Sequence, residues 1–418
     1  MNKPFAIPAE GTSAYWGANG PGQAELLARI HEVGSILDGE AEQSEELGKL
    51  TEKSFDALSK VRPWAFFVPE NMGGYQLSPT RGLELLEAIS YHSGGAGWVA
   101  MVYACIGAMS AGYLPDKAAA ELYGPGKEHR FAGQGAPLGM LKRTEGGYLL
   151  SGKWNYGSGF HYATWSHSAA FLDDGTGKPA VNENGEPIVL CAHAPIEKYK
   201  DAGNWDVLGL RATGSIDHVA EDVFIGEDYV YPILTAQPQR LKEFYSVGVV
   251  GLASIGHSGW ACGVSRRALD ELAKFARSRT GRAGMIGDSE YFWIEFARHD
   301  AKVRAARAYL FDVWNDVQRS MEAGQMATTR QITYLHQAKD EVHDAGAAAI
   351  NFAYRSAGGT SLRRGVLQRV FREMYTATQH ITVSNSVMAN VGRELLGLAD
   401  GHVWQFYDLK PVNKNAGK

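Results

Sequence analysis

From Gln239 almost to its end the chain carries four long segments, around 241–279, 290–322, 329–357 and 364–398. In each, apolar residues recur three and four positions apart or fill most faces, and short polar or glycine-containing links separate the segments. Each segment must bury its apolar stripe against the others, so the set implies an antiparallel four-helix bundle. The region from about Gly22 to Gly124 is helical as well. "AELLARIHEVGSILDG" and "LELLEAISYHSGGAGWVAMVYACIGAMSAGYL" keep the same spacing, and Ser78-Pro79 is a helix start with proline in the first turn.

Near Gly124-Pro125-Gly126 the pattern changes. From Arg130 to about Tyr231, short runs such as "GGYLLSGKWNYGSG", "TWSHSAAFL" and "PIVLCAHA" alternate with turn clusters such as "DDGTGK" and "NENGEP". Short strands broken by turns every ten residues or so imply a small antiparallel barrel or sandwich. The expected class is therefore α+β, in three parts: an N-terminal helical domain (1–129), a middle β-barrel (130–237) and a C-terminal helical bundle (238–418).

Charge and cysteines narrow the function. A net charge of −5 and a pI near 6.2 leave no basic footprint for nucleic acid. Cys105, Cys191 and Cys262 are odd in number and scattered, which fits a reducing, cytoplasmic setting and no disulfide framework. The first residues lack an apolar core of signal-peptide length, and the apolar run Val247–Val264 is interrupted by His257, serines and glycines. Neither implies a membrane segment; the second implies a buried helix packed through small residues. No metal site is expected.

The richest local signal is "KWNYGSGFHYATW" (153–165). Strand alternation puts Trp154, Tyr156 and Ser158 on one face, while Gly157 and Gly159 lack side chains and admit a planar ligand or another chain segment. An aromatic platform beside a hydroxyl suits a conjugated ring with polar nitrogens, and a bulged strand of barrel core would carry the same residues. A second segment, "WDVLGLRATGSIDHVAEDVFI" (205–225), joins Gly209, Arg211, Thr213 and Ser215 to a further strand.

Together, these two segments and the helix–barrel–bundle order resemble the acyl-CoA dehydrogenase superfamily, over about residues 25–400. Dehydrogenases of that family carry a carboxylate base in a "Y-E-G-T"-like segment. Here the corresponding stretch, "LQRVFREMYTATQHITVSNSV" (367–387), has no acid beyond Glu373 and offers Gln379 and His380 instead. Without that carboxylate, α-proton abstraction loses its base. "WNYGSGFHYATW" and "QHITVSNSVMANVGRELLG" are similar instead to the two-component flavin-dependent monooxygenase branch, which includes the hydroxyphenylacetate hydroxylase oxygenase component.

That resemblance implies a reduced flavin (FADH2 or FMNH2) from a separate NAD(P)H:flavin reductase, O2 as co-substrate, a C4a-hydroperoxyflavin and hydroxylation of a small aromatic or heteroaromatic substrate. It also implies a homotetramer. By the same resemblance Ser158 is the partner of flavin N5, Trp154 covers the ring, and Gly159, Arg211 and Ser215 line the cofactor. Arg279 or Arg282, with Gly358 and Gly359, reaches the cofactor of this or a neighbouring subunit. His380, an imidazole expected to titrate near neutrality, hydrogen-bonds or deprotonates the substrate, with Tyr375 and Gln379 beside it. Cys105 and Gly107 make that pocket wall small and apolar, which suits a fused ring such as an indole better than a small phenol acid. Three alternatives share some of the same residues: a flavin oxidase or dehydrogenase using Glu295 or Asp300, a non-catalytic flavin-binding protein, and a di-iron bundle built on Asp340 and His343.

Overall fold

A computed structural model describes residues 15–17, 22–234, 237–281 and 284–411. Six helices come first: α1 (Gln23–Gly39), α2 (Ala41–Leu47), α3 (Glu52–Ser59), α4 (Pro79–His92), α5 (Gly94–Tyr113) and α6 (Asp116–Leu122). Ser78 caps α4 through its hydroxyl, with Pro79 in the first turn, as the sequence predicts. Ser93 repeats the device for α5, an almost wholly buried helix that follows without a loop. By length and composition α5 alone among the described helices is apolar enough to cross a membrane, but 83% of that stretch is buried inside the protein.

Seven strands follow: β1 (Phe131–Thr144), β2 (Gly147–Gly157), β3 (Trp165–Leu172), β4 (Val189–Ala192), β5 (Lys200–Asp201), β6 (Ile216–Gly226) and β7 (Val230–Pro232). They form one sheet in the order β5-β6-β2-β1-β3-β4-β7. Every pairing is antiparallel except β1 with β3, which is parallel because β2 crosses out to the far side of β1.

The C-terminal region comprises the short α7 (Lys242–Tyr245), then α8 (Gly248–Arg277), α9 (Glu290–Glu322), α10 (Thr329–Ser356), α11 (Val366–Ala377) and α12 (Asn385–Leu395), closed by a hairpin of β8 (His402–Gln405) and β9 (Asp408–Pro411). The run Val247–Val264 lies within α8 or at its threshold and presses on α4. A side chain at Gly263 would begin 2.2 Å from the Glu87 carbonyl oxygen, so only hydrogen fits there. The fourth bundle segment is split. Between α11 and α12 the chain makes a single 3-10 turn over Ile381–Val383, where two β-branched residues flank a threonine and disfavour continued helix. The break places His380 at the head of that turn instead of mid-helix.

Candidate functional site at the helix–sheet junction

The segment 153–165 divides in two. Trp154 is fully buried, donates its indole N–H to the Ala169 carbonyl at 2.8 Å and lies near-parallel to the His218 ring, 5.8 Å away. Side chains at Gly139 or Gly152 would strike its ring. Trp154 therefore belongs to the sheet interior, which corrects its expected role as a cover for the cofactor. The alternation fails two residues later. Tyr156 takes a left-handed backbone (φ 59°) and is 60% exposed, and the β2–β6 register shifts between Trp154 and Gly157. The glycines serve other parts of this chain. A Cβ on Gly157 would crowd the His218 ring, and Gly159 (φ 75°) lets the Tyr103 hydroxyl reach its carbonyl at 2.5 Å.

Past that break, Ser158 turns inward. Its Oγ lies 2.6 Å from Ser215 Oγ, which lies 2.6 Å from Thr213 Oγ1; Thr213 donates to the Leu210 carbonyl at 2.8 Å. Each hydroxyl has one hydrogen, so the chain has one direction. Thr213 gives its proton to Leu210, Ser215 gives to Thr213, and Ser158 gives to Ser215. The Trp98 indole N–H donates to Ser158 Oγ at 3.2 Å. Ser158 therefore faces any further partner as an acceptor. His161 packs over Gly214, behind this relay.

Trp98, on α5, carries the relay into the helices. Its ring centroid lies 5.0 Å from His257 and 5.2 Å from Trp260, both on α8, and 6.0 Å from His380. His257 and His380 are 4.3 Å apart, and His257 is 6.3 Å from His343 on α10. The structure thus brings Ser158, Ser215 and His380 to one junction through Trp98, His257 and His343. Sequence reasoning passed over Trp98, met His257 only as an interruption of the apolar run Val247–Val264, and weighed His343 only as part of a di-iron site.

His380 Nδ1 accepts the Thr382 backbone N–H at 3.3 Å and lies 3.1 Å from the Thr382 hydroxyl. Burial, reinforced by the charge on Lys339, pushes this imidazole down to about 4, not to neutrality as the sequence suggested. At pH 7 it is neutral, with Nδ1 as acceptor and the proton on Nε2.

The other candidates scatter. Cys105 stands two turns beyond Trp98, its thiol 3.0 Å from the Leu252 carbonyl and pushed up to about 12 by burial. Gly107 faces away, against the Trp64 backbone, so it does not line this junction. Tyr375 packs on Phe371 at 4.6 Å, and Gln379 is exposed. Arg211 is committed within the chain, to Asp206 at 2.9 Å and the Val207 carbonyl at 3.1 Å, beside a charged cleft of about 400 Å³ that also holds Glu45, Arg364 and Arg372. Arg279 is exposed over the Phe275 ring, and Gly358 and Gly359 stand in open space. From His257 to the end of α8 is about 30 Å at 1.5 Å per residue, so Arg279 cannot serve the junction of its own chain. Arg282 lies outside the described residues. Glu295 is paired with Arg298, and Asp300 with Arg266 and Arg304. His343 donates from Nδ1 to the Lys339 carbonyl and leaves Nε2 free, but among the described residues no group of three or more His, Cys or carboxylate side chains gathers around it and Asp340.

The family model described as "Acyl-CoA dehydrogenase, C-terminal domain" matches residues 255–385. The chain is 29% identical over 353 residues to the indole-3-acetate monooxygenase of Acinetobacter baumannii, covering 82% of this chain and 86% of that protein. It is 26% identical over 376 residues to the flavin-dependent monooxygenase oxygenase subunit HsaA of Rhodococcus jostii, covering 85% and 93%. In structure it is similar to XiaF from Streptomyces, solved with FADH2 and glycerol, at a TM-score of 0.81 and 21% identity over 90% of this chain and 96% of that one. The chain thus carries a match to an acyl-CoA dehydrogenase C-terminal domain over residues 255–385, and over most of its length it is similar to the oxygenase components of flavin-dependent monooxygenases.

Proposed function

We propose that this chain is the oxygenase component of a two-component monooxygenase. It takes reduced flavin from a separate NAD(P)H-dependent reductase in the cytoplasm and uses O2 to hydroxylate an aromatic or heteroaromatic ring. The observation that carries this proposal is the direction of the hydroxyl relay. Flavin N5 bears a hydrogen when reduced and only a lone pair when oxidised. Ser158, with its own proton given to Ser215, is an acceptor and suits the reduced form. The FADH2 held by XiaF and the indole compound named for the Acinetobacter relative support the flavin and the ring class.

Bound there, the flavin supplies the electrons that activate O2. The residues of this chain do the rest. Ser158 holds the N5 proton, and Trp98 fixes Ser158. The apolar walls of α5 and α8 keep water from that proton. His380 presents Nε2–H as a hydrogen-bond donor to an oxygen of the substrate or oxidant, a narrower role than general base. Arg279, Gly358 and Gly359 serve the cofactor of a second copy within a homotetramer. The exposed Tyr291 and Trp293, at the start of α9, give that copy an apolar face.

The test is anaerobic mixing of the protein with FMNH2 or FADH2, followed by O2, with absorbance recorded. A transient outlasting the oxidation of free flavin is expected with at least one of them. Oxidation at the free-flavin rate with both would overturn the proposal. His380→Ala should leave that transient in place and lower the hydroxylated product.

A further inference from the structure

A buried ammonium stands one helical turn from this junction. Lys339, on α10, is 0% exposed, and among the described residues no carboxylate pairs with it. Its Nζ donates to His336 Nδ1 at 3.2 Å and lies 5.7 Å from the centre of the Tyr407 ring. Two of its three N–H donors have no acceptor among the described residues. Fully buried lysines are rare unless paired, because an isolated ammonium loses its hydration without return.

The surroundings are short of partners in the same way. His336, Lys339 and His343 follow one another at i, i+3 and i+7 on one face of α10. His336 Nε2, His343 Nε2 and His257 Nδ1 are all buried without a hydrogen-bond partner. These groups form a continuous polar seam. It runs from Trp404 in the C-terminal hairpin, 4.3 Å from His336, past Lys339 to His343, His257 and His380. The charge of Lys339 is felt along all of it, since it helps hold down the proton affinities of His257, His336, His343 and His380.

We propose that the substrate is an aromatic carboxylic acid whose carboxylate is held by Lys339 while its ring lies among Trp98, His257 and His380. This rests on the monooxygenase proposal and adds the charge of the substrate to it. The fold places a cation, with no anion of its own among the described residues, one helical turn from His343 and near enough for its charge to act on His380. A carboxylate on a short arm supplies that anion; a neutral phenol or indole leaves the ammonium unanswered. Burial pushes Lys339 down to about 7. At pH 8 the free site is therefore largely neutral and must take up a proton as the acid binds.

The test uses one ring with three arms: indole-3-acetate, its primary amide and the corresponding alcohol. Binding is followed by tryptophan fluorescence to the wild type and to Lys339→Met. The wild type should bind the acid roughly 10- to 100-fold more tightly than the amide, the range for a hydrogen bond to a charged group. Lys339→Met should lose that preference while still binding the amide. Calorimetry at pH 8 in two buffers of different ionisation heat should show proton uptake for the acid and none for the amide. Equal wild-type affinity for acid and amide would overturn the proposal without any variant, as would an acid preference that survives Lys339→Met. Formation of the oxygen-dependent transient needs no acid. Its absence would count against the monooxygenase proposal, and its presence with no acid preference against this one alone.

Discussion

Two regions bury imidazoles, and they do so differently. In the sheet, His218 is sandwiched between Trp154 and Phe160, and His167 faces His193, whose Nε2 also lies 3.0 Å from the Ser110 hydroxyl. Rings and hydroxyls fill the space, and the glycines beside them are there to admit the rings. Ring nitrogens without partners occur in both regions, on His218 in the sheet and on His257, His336 and His343 at the junction, but at the junction a buried lysine stands beside them. Aromatic density marks a packed core in the first region. A buried cation without a carboxylate partner among the described residues sets the second apart.

The largest expected effect tests the packed region. Burial holds His167 and His218 in the sheet, and His343 in the bundle, down to about 4. Their folded values lie below the unfolded value near 6.5. Below pH 6.5 the unfolded chain therefore takes up protons that the folded chain refuses, and stability falls until about pH 4. Each histidine contributes roughly 1.4 kcal/mol per pH unit. Glu373, which burial pushes up to about 7, runs the other way over much of this window and offsets about one of the three. Denaturation followed between pH 7 and pH 4.5 should show a steep acid limb, and His218→Phe should flatten it. An acid limb that His218→Phe leaves unchanged would remove the sheet from this account.

Next in size is Trp154→Ala. Loss of a fully buried indole should cost about 3–5 kcal/mol in chemical denaturation. Any folded protein that remains should still form the oxygen-dependent transient. A mild loss of stability with the transient abolished would return Trp154 to the cofactor site. Ser158→Ala should show the opposite pattern. Its stability cost is about 1 kcal/mol, but the transient should shorten by roughly fivefold, the worth of one neutral hydrogen bond. Binding should also lose part of its preference for reduced over oxidised flavin.

The helix–sheet–helix order was legible because hydrophobic period is local. It changes from 3.6 to 2 near Arg130 and returns after Gln239, whatever packs against it. Ser158, Ser215 and His380 were legible through resemblance of short segments. The parallel β1–β3 pairing was not, since strand order depends on which distant strand crosses out. Trp154 was misplaced because alternation assumes an unbroken strand, and the left-handed turn at Tyr156 carries no sequence mark such as glycine or asparagine. Lys339 was illegible for a different reason. On an amphipathic helix a lysine is expected to face solvent, and only the position of α10 between α8 and the hairpin turns this one inward.

The smallest predicted effect concerns what holds His380. Two groups of Thr382 approach Nδ1: the backbone N–H at 3.3 Å and the hydroxyl at 3.1 Å. The N–H is a fixed donor and cannot accept, so it alone suffices to leave the imidazole proton on Nε2. The hydroxyl can turn either way and adds little to that choice. Thr382→Val keeps the shape and the backbone N–H while removing the hydroxyl. Product yield per transient should therefore change by less than about threefold, below the worth of one hydrogen bond. Its pH profile between 6 and 8 should match that of the wild type, because His380, titrating near 4, does not change charge there. A large loss in Thr382→Val, or a new pH dependence near 6.5, would show that the hydroxyl sets the tautomer. His380 could then present a bare Nε2 to the substrate and act as the base that the sequence first suggested.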